Sequence, residues 1–233
     1  MPIFLLDNSL AFPKPRYAEP TGLLAIGGDL RVERLLLAYR NGIFPWFCEG
    51  NPILWFSPDP RLVLIPDQFK VSTSLRKVIK SNTFEVRFDT LFDEVIVRCA
   101  KMKRENQYGT WITSDMIEAY TKLHREGYAH SVETFQGDNL VGGLYGVSIG
   151  GAFFGESMFH IMSNASKVAL YHLVGRLRSW DFDFIDSQVP TEHMKSLGSR
   201  EVDRESFLKM LSETLQKRTI RGRWTEFSPQ LFL

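Results

Sequence analysis

The sequence predicts an α+β protein: a small Pro-rich N-terminal domain, then a larger α/β domain built on a mostly antiparallel sheet. Three observations carry this. Nine of the 11 prolines fall within residues 1–66. Proline removes amide donors and resists helix and central strand, so this part reads as loop-rich. Beyond it, helical spacing alternates with strand-like segments joined by glycine turns. Hydrophobic residues make up 44% of the 233 and charged residues 24%, which is ordinary for a globular chain with a sizeable core. The boundary is placed at Pro66, giving domains 1–65 and 66–233.

The first domain has one clear helix. Gly27-Gly28-Asp29 supplies a turn and cap, and RVERLLLAYRNG carries Leu35, Leu36 and Tyr39 before stopping at Gly42. No Lys-Ser/Thr follows the double glycine, so it is not read as a phosphate loop. After Pro66, the Ser72-Thr73-Ser74 cluster caps a helix through LRKVIK. The strand FEVRF precedes a helix over Leu91–Met102, and a further helix spans Ser114–Glu126. AHSVETF, LVGGLYGVSI and AFFGESMF read as three hairpin-linked strands. A helix in NASKVALYHLVGRLRSW, the strand FDFIDSQV and a last helix over Asp203–Arg218 follow. The order β-β-β-α-β-α sets helices against the sheet.

Composition excludes several classes. Lys+Arg total 28 and Asp+Glu 27, a net charge of +1, which excludes a uniformly basic coat but not a local basic patch. No stretch approaches the ~20 apolar residues of a membrane span. Ile3–Leu6 ends at Asp7 with no preceding basic residue, so no signal peptide is expected. Cys48 and Cys99 form no CxxC, and the histidines form no HExxH. Free thiols, a cytoplasmic location and no metal are expected.

Four constellations could carry chemistry. In FDFIDSQV, Asp186 and Gln188 share a strand face, either as a polar site or as a solvent rim. In GGAFFGESMF, Glu156 either lines a pocket or sits in a rim ion pair. Ser157 supplies only half of a GxSxG elbow, with Phe159 at the closing position, which argues against a serine acyl-enzyme. Basic residues cluster at Arg76, Lys77 and Lys80, at Arg98, Lys101, Lys103 and Arg104, and at Lys217, Arg218, Arg221 and Arg223. Each cluster could follow phosphates or be a solvated face. Trp46, Trp55 and Trp111 lie in loop-like sequence and suit either domain packing or base stacking. The strand order also suits the coenzyme A-dependent N-acyltransferases. Their Gln/Arg-x-x-Gly-x-Gly/Ala pyrophosphate loop is missing from the sequence, which disfavours that donor.

GLLAIGGDL, GIFPWF, ILWFSPDPR, GTWIT, AYTKLHREGYAHSVE, LVGGLYGV, GESMF, NASK and FIDSQV together resemble the bacterial leucyl/phenylalanyl-tRNA–protein transferase family, over nearly the whole chain. The resemblance implies a small N-terminal domain and an acetyltransferase-like (GNAT-like) domain that uses no coenzyme A or other cofactor. The donor would be Leu or Phe (Met less well) on tRNA, and the acceptor a protein with N-terminal Arg or Lys, marked thereby for N-degron proteolysis. A monomer without membrane contact is expected.

By the same resemblance, Asp186 and Gln188 are the catalytic pair. Leu144, Phe153, Glu156, Met158, Leu170, Leu173, Leu177 and Ile185 line the donor side-chain pocket. Trp46 and Trp111 bind the terminal adenosine, and Arg76, Lys77 and Lys80 contact the tRNA acceptor stem. The family pattern has more Met and Phe where Leu144, Leu173 and Leu177 stand, which leaves the Leu/Phe/Met ranking open. Alternation sets Ile185 opposite Asp186, so both reach one substrate only beside a splayed or bulged strand. Ser187 replaces the family's cysteine and is expected to face away from the site. Asp186 is expected to orient the Gln188 amide. Two rival readings are an N-acyltransferase with another donor, revealed by coenzyme A dependence, and a tRNA-binding adaptor, revealed by binding without turnover.

Overall fold

A computed structural model describes residues 3–102 and 110–226. In chain order it contains β1 (Phe4–Leu6), β2 (Leu23–Gly27), α1 (Val32–Arg40), β3 (Phe44–Pro45), β4 (Leu54–Phe56) and β5 (Arg61–Leu64). Then come α2 (Thr73–Lys80), β6 (Glu85–Phe88), α3 (Phe92–Lys101), α4 (Ser114–Arg125), β7 (Ala129–Gln136), β8 (Asn139–Ile149) and β9 (Ala152–His160). The last elements are α5 (Ala165–Ser179), β10 (Phe184–Gln188), α6 (Glu192–Ser196), β11 (Arg200–Val202) and α7 (Arg204–Thr214).

The architecture is α+β with two sheets. Short strands in the proline-rich part form a four-stranded sheet in the order β1-β2-β4-β3. The larger sheet has the order β11-β5-β10-β9-β8-β7-β6 and is antiparallel except at β9–β10. It draws β5 from before Pro66, where the sequence signal was dominated by proline. The hairpins β7–β8–β9 stand where alternation put them. α6 and β11 were not expected, and α7 ends at Thr214, short of Arg218. α6, β11 and the short strands β1–β5, which the sequence reading also lacked, are too short to show a period.

Capping explains several helix starts. Ser72 Oγ accepts from Leu75 N (3.2 Å), and Thr113 Oγ1 accepts from Met116 N (3.3 Å). α2 buries only Leu75 and Ile79, packed with Val168 and Tyr171 of α5, and leaves Arg76, Lys77 and Lys80 exposed. α5 is buried on most of its surface because it lies between this helix and the sheet.

Two strand glycines are required by close approach of protein. A Cβ at Gly142 would lie 2.6 Å from the Ala165 Cβ, so glycine lets the start of α5 sit directly on β8. A Cβ at Gly146 would lie 2.2 Å from the Phe154 carbonyl oxygen. After α7 the chain carries Trp224 back into the core. Its indole stacks on His130 (3.8 Å between centroids) and its amide donates to Asp89 Oδ2 (2.7 Å).

Candidate active site

The site forms where β9 and β10 part. Their parallel pairing runs from Phe184↔Ala152 to Asp186↔Phe154 and stops there. Just beyond, each strand breaks register with its other neighbour. β9 slips against β8 between Gly155 and Ser157, which makes Glu156 the extra residue of a bulge. β10 slips against β5 between Asp186 and Gln188, and Gln188 has a left-handed φ of 61°. Both irregularities turn polar side chains out of the sheet's ordinary alternation.

On one face, Asp186 and Arg61 form a buried ion pair. Arg61 Nε donates to Asp186 Oδ1 (2.8 Å) and Nη2 to Oδ2 (2.6 Å), with side chains 1% and 0% exposed. The guanidinium also donates to the Gly42 carbonyl (3.1 Å) and lies over the Phe44 and Phe207 rings. Asp186 Oδ1 accepts the backbone N–H of Gln188 (2.9 Å), pinning the bulge. Asp186 therefore fixes the Gln188 backbone, whereas the sequence reading had it orienting the amide.

The amide is held by Glu156. Gln188 Nε2 donates to Glu156 Oε1 (2.7 Å). Tyr39 donates to the same oxygen (2.7 Å) and Tyr120 to Oε2 (3.3 Å), and the two phenol oxygens touch. Burial pushes the Glu156 carboxyl up to about 7, against hydrogen bonds from Tyr39, Tyr120 and Gln188 that favour its charged form; the nearby Asp186 charge raises it further. Burial, with the Glu156 charge beside them, holds both phenols well above their ordinary range, so they remain protonated donors. A glutamine amide that donates to a carboxylate presents its carbonyl oxygen away from it, as a free acceptor.

Glu156 borders a cavity of about 520 Å3 between the splayed strands and α5. Leu144, Phe153, Met158, Leu170, Leu173 and Ile185, six of the residues named for a donor pocket, line it. Leu177 does not; it is packed in the core behind. Ser187 also lines it, contrary to expectation, because it shares strand phase with Ile185 and the cavity lies on that face. Met194 and His193 complete the rim from α6.

Neither Trp46 nor Trp111 lines the cavity. Trp46 is half-buried, edge-on to Phe56, and Trp111 is buried at the entry to α4. The basic clusters separate into two kinds. Arg98 is tied to Glu94 and the Leu140 carbonyl, and Lys217 to Asp181 and Asp183. Arg76, Lys77 and Lys80 make no ion pair among the described residues. Lys103 and Arg104 lie outside those residues.

Sequence reasoning missed Arg61, Tyr39 and Tyr120. Each carries a weak signal: an arginine opening the apolar strand RLVL, and hydroxyls on core-facing helix positions. Among the described residues no cluster of His, Cys, Asp and Glu suits a metal ion, and no helix is long and apolar enough to cross a membrane. Neither Cys48 nor Cys99 forms a disulfide among the described residues.

Residues 63–212 match the family model described as leucyl/phenylalanyl-tRNA protein transferase, and residues 28–59 match that of its N-terminal domain. Curated proteins named leucyl/phenylalanyl-tRNA–protein transferase are similar over almost their whole lengths. The one from Syntrophobacter fumaroxidans is 55% identical over 92% of each chain. That from Anaeromyxobacter dehalogenans is 55% identical over 96% of each. That from Legionella pneumophila is 54% identical over 94% of this chain and 98% of its own. Among solved structures, L-PGS from Bacillus licheniformis aligns with a TM-score of 0.40 at 11% identity, over 86% of this chain and 66% of that one.

Proposed function

Because this chain belongs to the leucyl/phenylalanyl-tRNA–protein transferase family, we propose that its β9–β10 site transfers leucine or phenylalanine from tRNA to the N-terminal amine of proteins that begin with Arg or Lys. The chain is an aminoacyl-tRNA–protein transferase, an enzyme. The observation that supports the site assignment is the Glu156–Gln188 bond, which ties the Gln188 amide to the carboxylate that borders the apolar cavity. The product, a protein with a new N-terminal Leu or Phe, would enter N-degron proteolysis in the cytoplasm.

The reaction is aminolysis of an ester. The neutral α-amine attacks the ester carbonyl, a C–N bond forms, and the bond to the ribose oxygen breaks. The amine's proton leaves for that oxygen, directly or through the ribose 2′-OH or water. An amide is more stable than the ester it replaces, so no ATP is required. An α-amine has a pKa of ~7.7–8.0, so losing its proton at pH 7 costs only about 1–1.4 kcal/mol. A strong base is not needed, and an amide oxygen is not one. Gln188 accepts a hydrogen bond from the attacking nitrogen and aims its lone pair. Orientation of this kind supplies up to ~7–11 kcal/mol of a barrier.

In this reading the donor side chain occupies the cavity, and Trp46 and Trp111 serve the terminal adenosine. Met158 and Met194 give the walls some adaptability. Valine, shorter by a methylene than leucine, should be used roughly 10–200-fold less efficiently, the range for one missing methylene in an apolar pocket. Comparing kcat/KM for Val-tRNA and Leu-tRNA checks this, and equal use would count against the pocket.

Unpaired and exposed, the α2 cations fit an acceptor-stem contact. Reversing Arg76, Lys77 and Lys80 to Glu should weaken tRNA binding and flatten its dependence on salt. Transfer from a minimal leucyl-adenosine donor should fall far less than transfer from Leu-tRNA; an equal loss would remove this helix from the tRNA path.

The defining experiment presents labelled Leu-tRNA and two peptides that differ in an N-terminal Arg or Ala, without coenzyme A. Transfer to the Arg peptide alone, abolished by RNase, is the expected result. Binding of tRNA without transfer would overturn it in favour of an adaptor.

A further inference from the structure

A second cavity, of about 350 Å3, opens beside the donor cavity and shares Met158 and His193 with it. Its polar lining includes His160, Asn164, Ser166 and Lys167, and no carboxylate borders it among the described residues. Lys167 makes no ion pair there. Burial, then the neighbouring Lys167 and His160, hold His193 below its ordinary pKa, so the three side chains share one space.

The cavity also receives the start of α5. Asn164, with a left-handed φ of 68°, makes no side-chain cap, and the first turn holds no acid. The positive dipole end of a 15-residue helix thus adjoins this space, with the Ala165 N–H already given to the Met162 carbonyl (3.1 Å). Gly142 fixes that end against β8. Ser166, 95% buried on the cavity wall, has a hydroxyl that hydrogen-bonds to none of the described residues. A helix dipole's positive end, a serine hydroxyl open to the cavity and a lysine without an ion pair, with no acid in the lining among the described residues, are the chemistry that recognises a phosphate group.

We propose that this cavity at the N-terminus of α5 binds a nucleotide phosphate, the phosphodiester that precedes the donor's terminal adenosine. The assignment rests on the tRNA-donor reading above and deepens it. With the aminoacyl side chain between β9, β10 and α5, the neighbouring cavity is open to the part of the same donor beyond its terminal ribose. Lys167 and Ser166 are its main ligands, and His193 stands at the join of the two cavities.

The test compares two donors of leucine: 3′-leucyl-adenosine and 3′-leucyl-cytidylyl-adenosine, which adds one phosphodiester. The wild-type protein should use the dinucleotide with at least tenfold higher kcat/KM. In Lys167→Ala the ratio of the two should fall toward one. The ratio is internal to each preparation, so partial unfolding cannot imitate the effect. Inorganic phosphate should inhibit the dinucleotide donor preferentially in the wild type, which distinguishes a donor phosphate from a separate site for the free ion. Equal use of both donors by the wild type overturns the site and leaves the transferase reading intact. An unchanged ratio in Lys167→Ala overturns it as well. Use of neither donor, alongside transfer from intact Leu-tRNA, also overturns it. Loss of transfer from Leu-tRNA too would overturn the transferase reading itself.

Discussion

Arg61→Ala should cost the fold about 3–5 kcal/mol, the usual penalty for removing one partner of a buried ion pair. The arginine and Asp186 are both inaccessible to water, so the abandoned carboxylate has nothing to solvate it. Two bonds to Asp186, one to the Gly42 carbonyl and the cover of Phe44 and Phe207 are lost together. A urea titration should show a lower midpoint with little change in slope. The double substitution Arg61→Met, Asp186→Leu separates stability from activity. It removes both charges, so it should recover most of the lost stability. It should not recover transfer, because the Gln188 amide N–H then lacks its acceptor and the left-handed turn is no longer pinned. A double variant as unstable as the single one would show that the abandoned charge is not the source of the penalty.

Below pH 7, wild-type transfer should fall more steeply than deprotonation of the acceptor amine alone dictates. Two groups must lose a proton: the amine, near 7.7–8.0, and Glu156, which burial has raised to about 7. The sign follows from the hydrogen bonds. As a carboxylate, Glu156 accepts from Tyr39, Tyr120 and Gln188; once protonated it brings a hydrogen of its own among three donors, and one must let go. Asp186 and its partner Arg61 lie behind Gln188 and complete the charges around the group. The plot of log kcat/KM against pH should therefore approach a slope of two at low pH. Glu156→Gln should have a slope of one there and be roughly tenfold to hundredfold slower at pH 8, equivalent to ~1.4–2.7 kcal/mol of lost positioning. A slope of one for both proteins would mean that Glu156 does not titrate in this range. Tyr39→Phe and Tyr120→Phe each remove one donor and should move the same limb upward in pH.

Local sequence signals carried the framework well. The β7–β8–β9 hairpins stand between clear glycine turns, and α4 and α5 have long periodic faces, so both could be read. The apolar wall of the cavity was also legible, since Leu144, Phe153, Leu170 and Leu173 lie on regular elements. What strand phase could not supply was the direction of Glu156 and Gln188. Each is displaced by a register shift, and a shift depends on the neighbouring strand. Ser187 was misread for the same reason: the cavity lies on the Ile185 face, and only the splay of β9 from β10 shows that. Arg61, Tyr39 and Tyr120 gave only a weak signal because their partners are far along the chain. The proline-rich opening concealed β5, whose partners β10 and β11 come more than a hundred residues later.

That separation has a consequence for the protein's own synthesis. Arg61 and Asp186 are 125 residues apart, and Tyr39 and Glu156 are 117 apart. Pairings this distant form late, because closing the loop must precede any contact that rewards it. At ~5–20 residues per second, translation needs about 6–25 s to deliver Asp186 after Arg61. Throughout that interval the emerging chain holds a guanidinium and a phenol without partners, and no acyl-transfer centre. If the β9–β10 site carries the transfer as proposed, the emerging chain is inert toward charged tRNA at the ribosome until the strand bearing Gln188 closes the sheet.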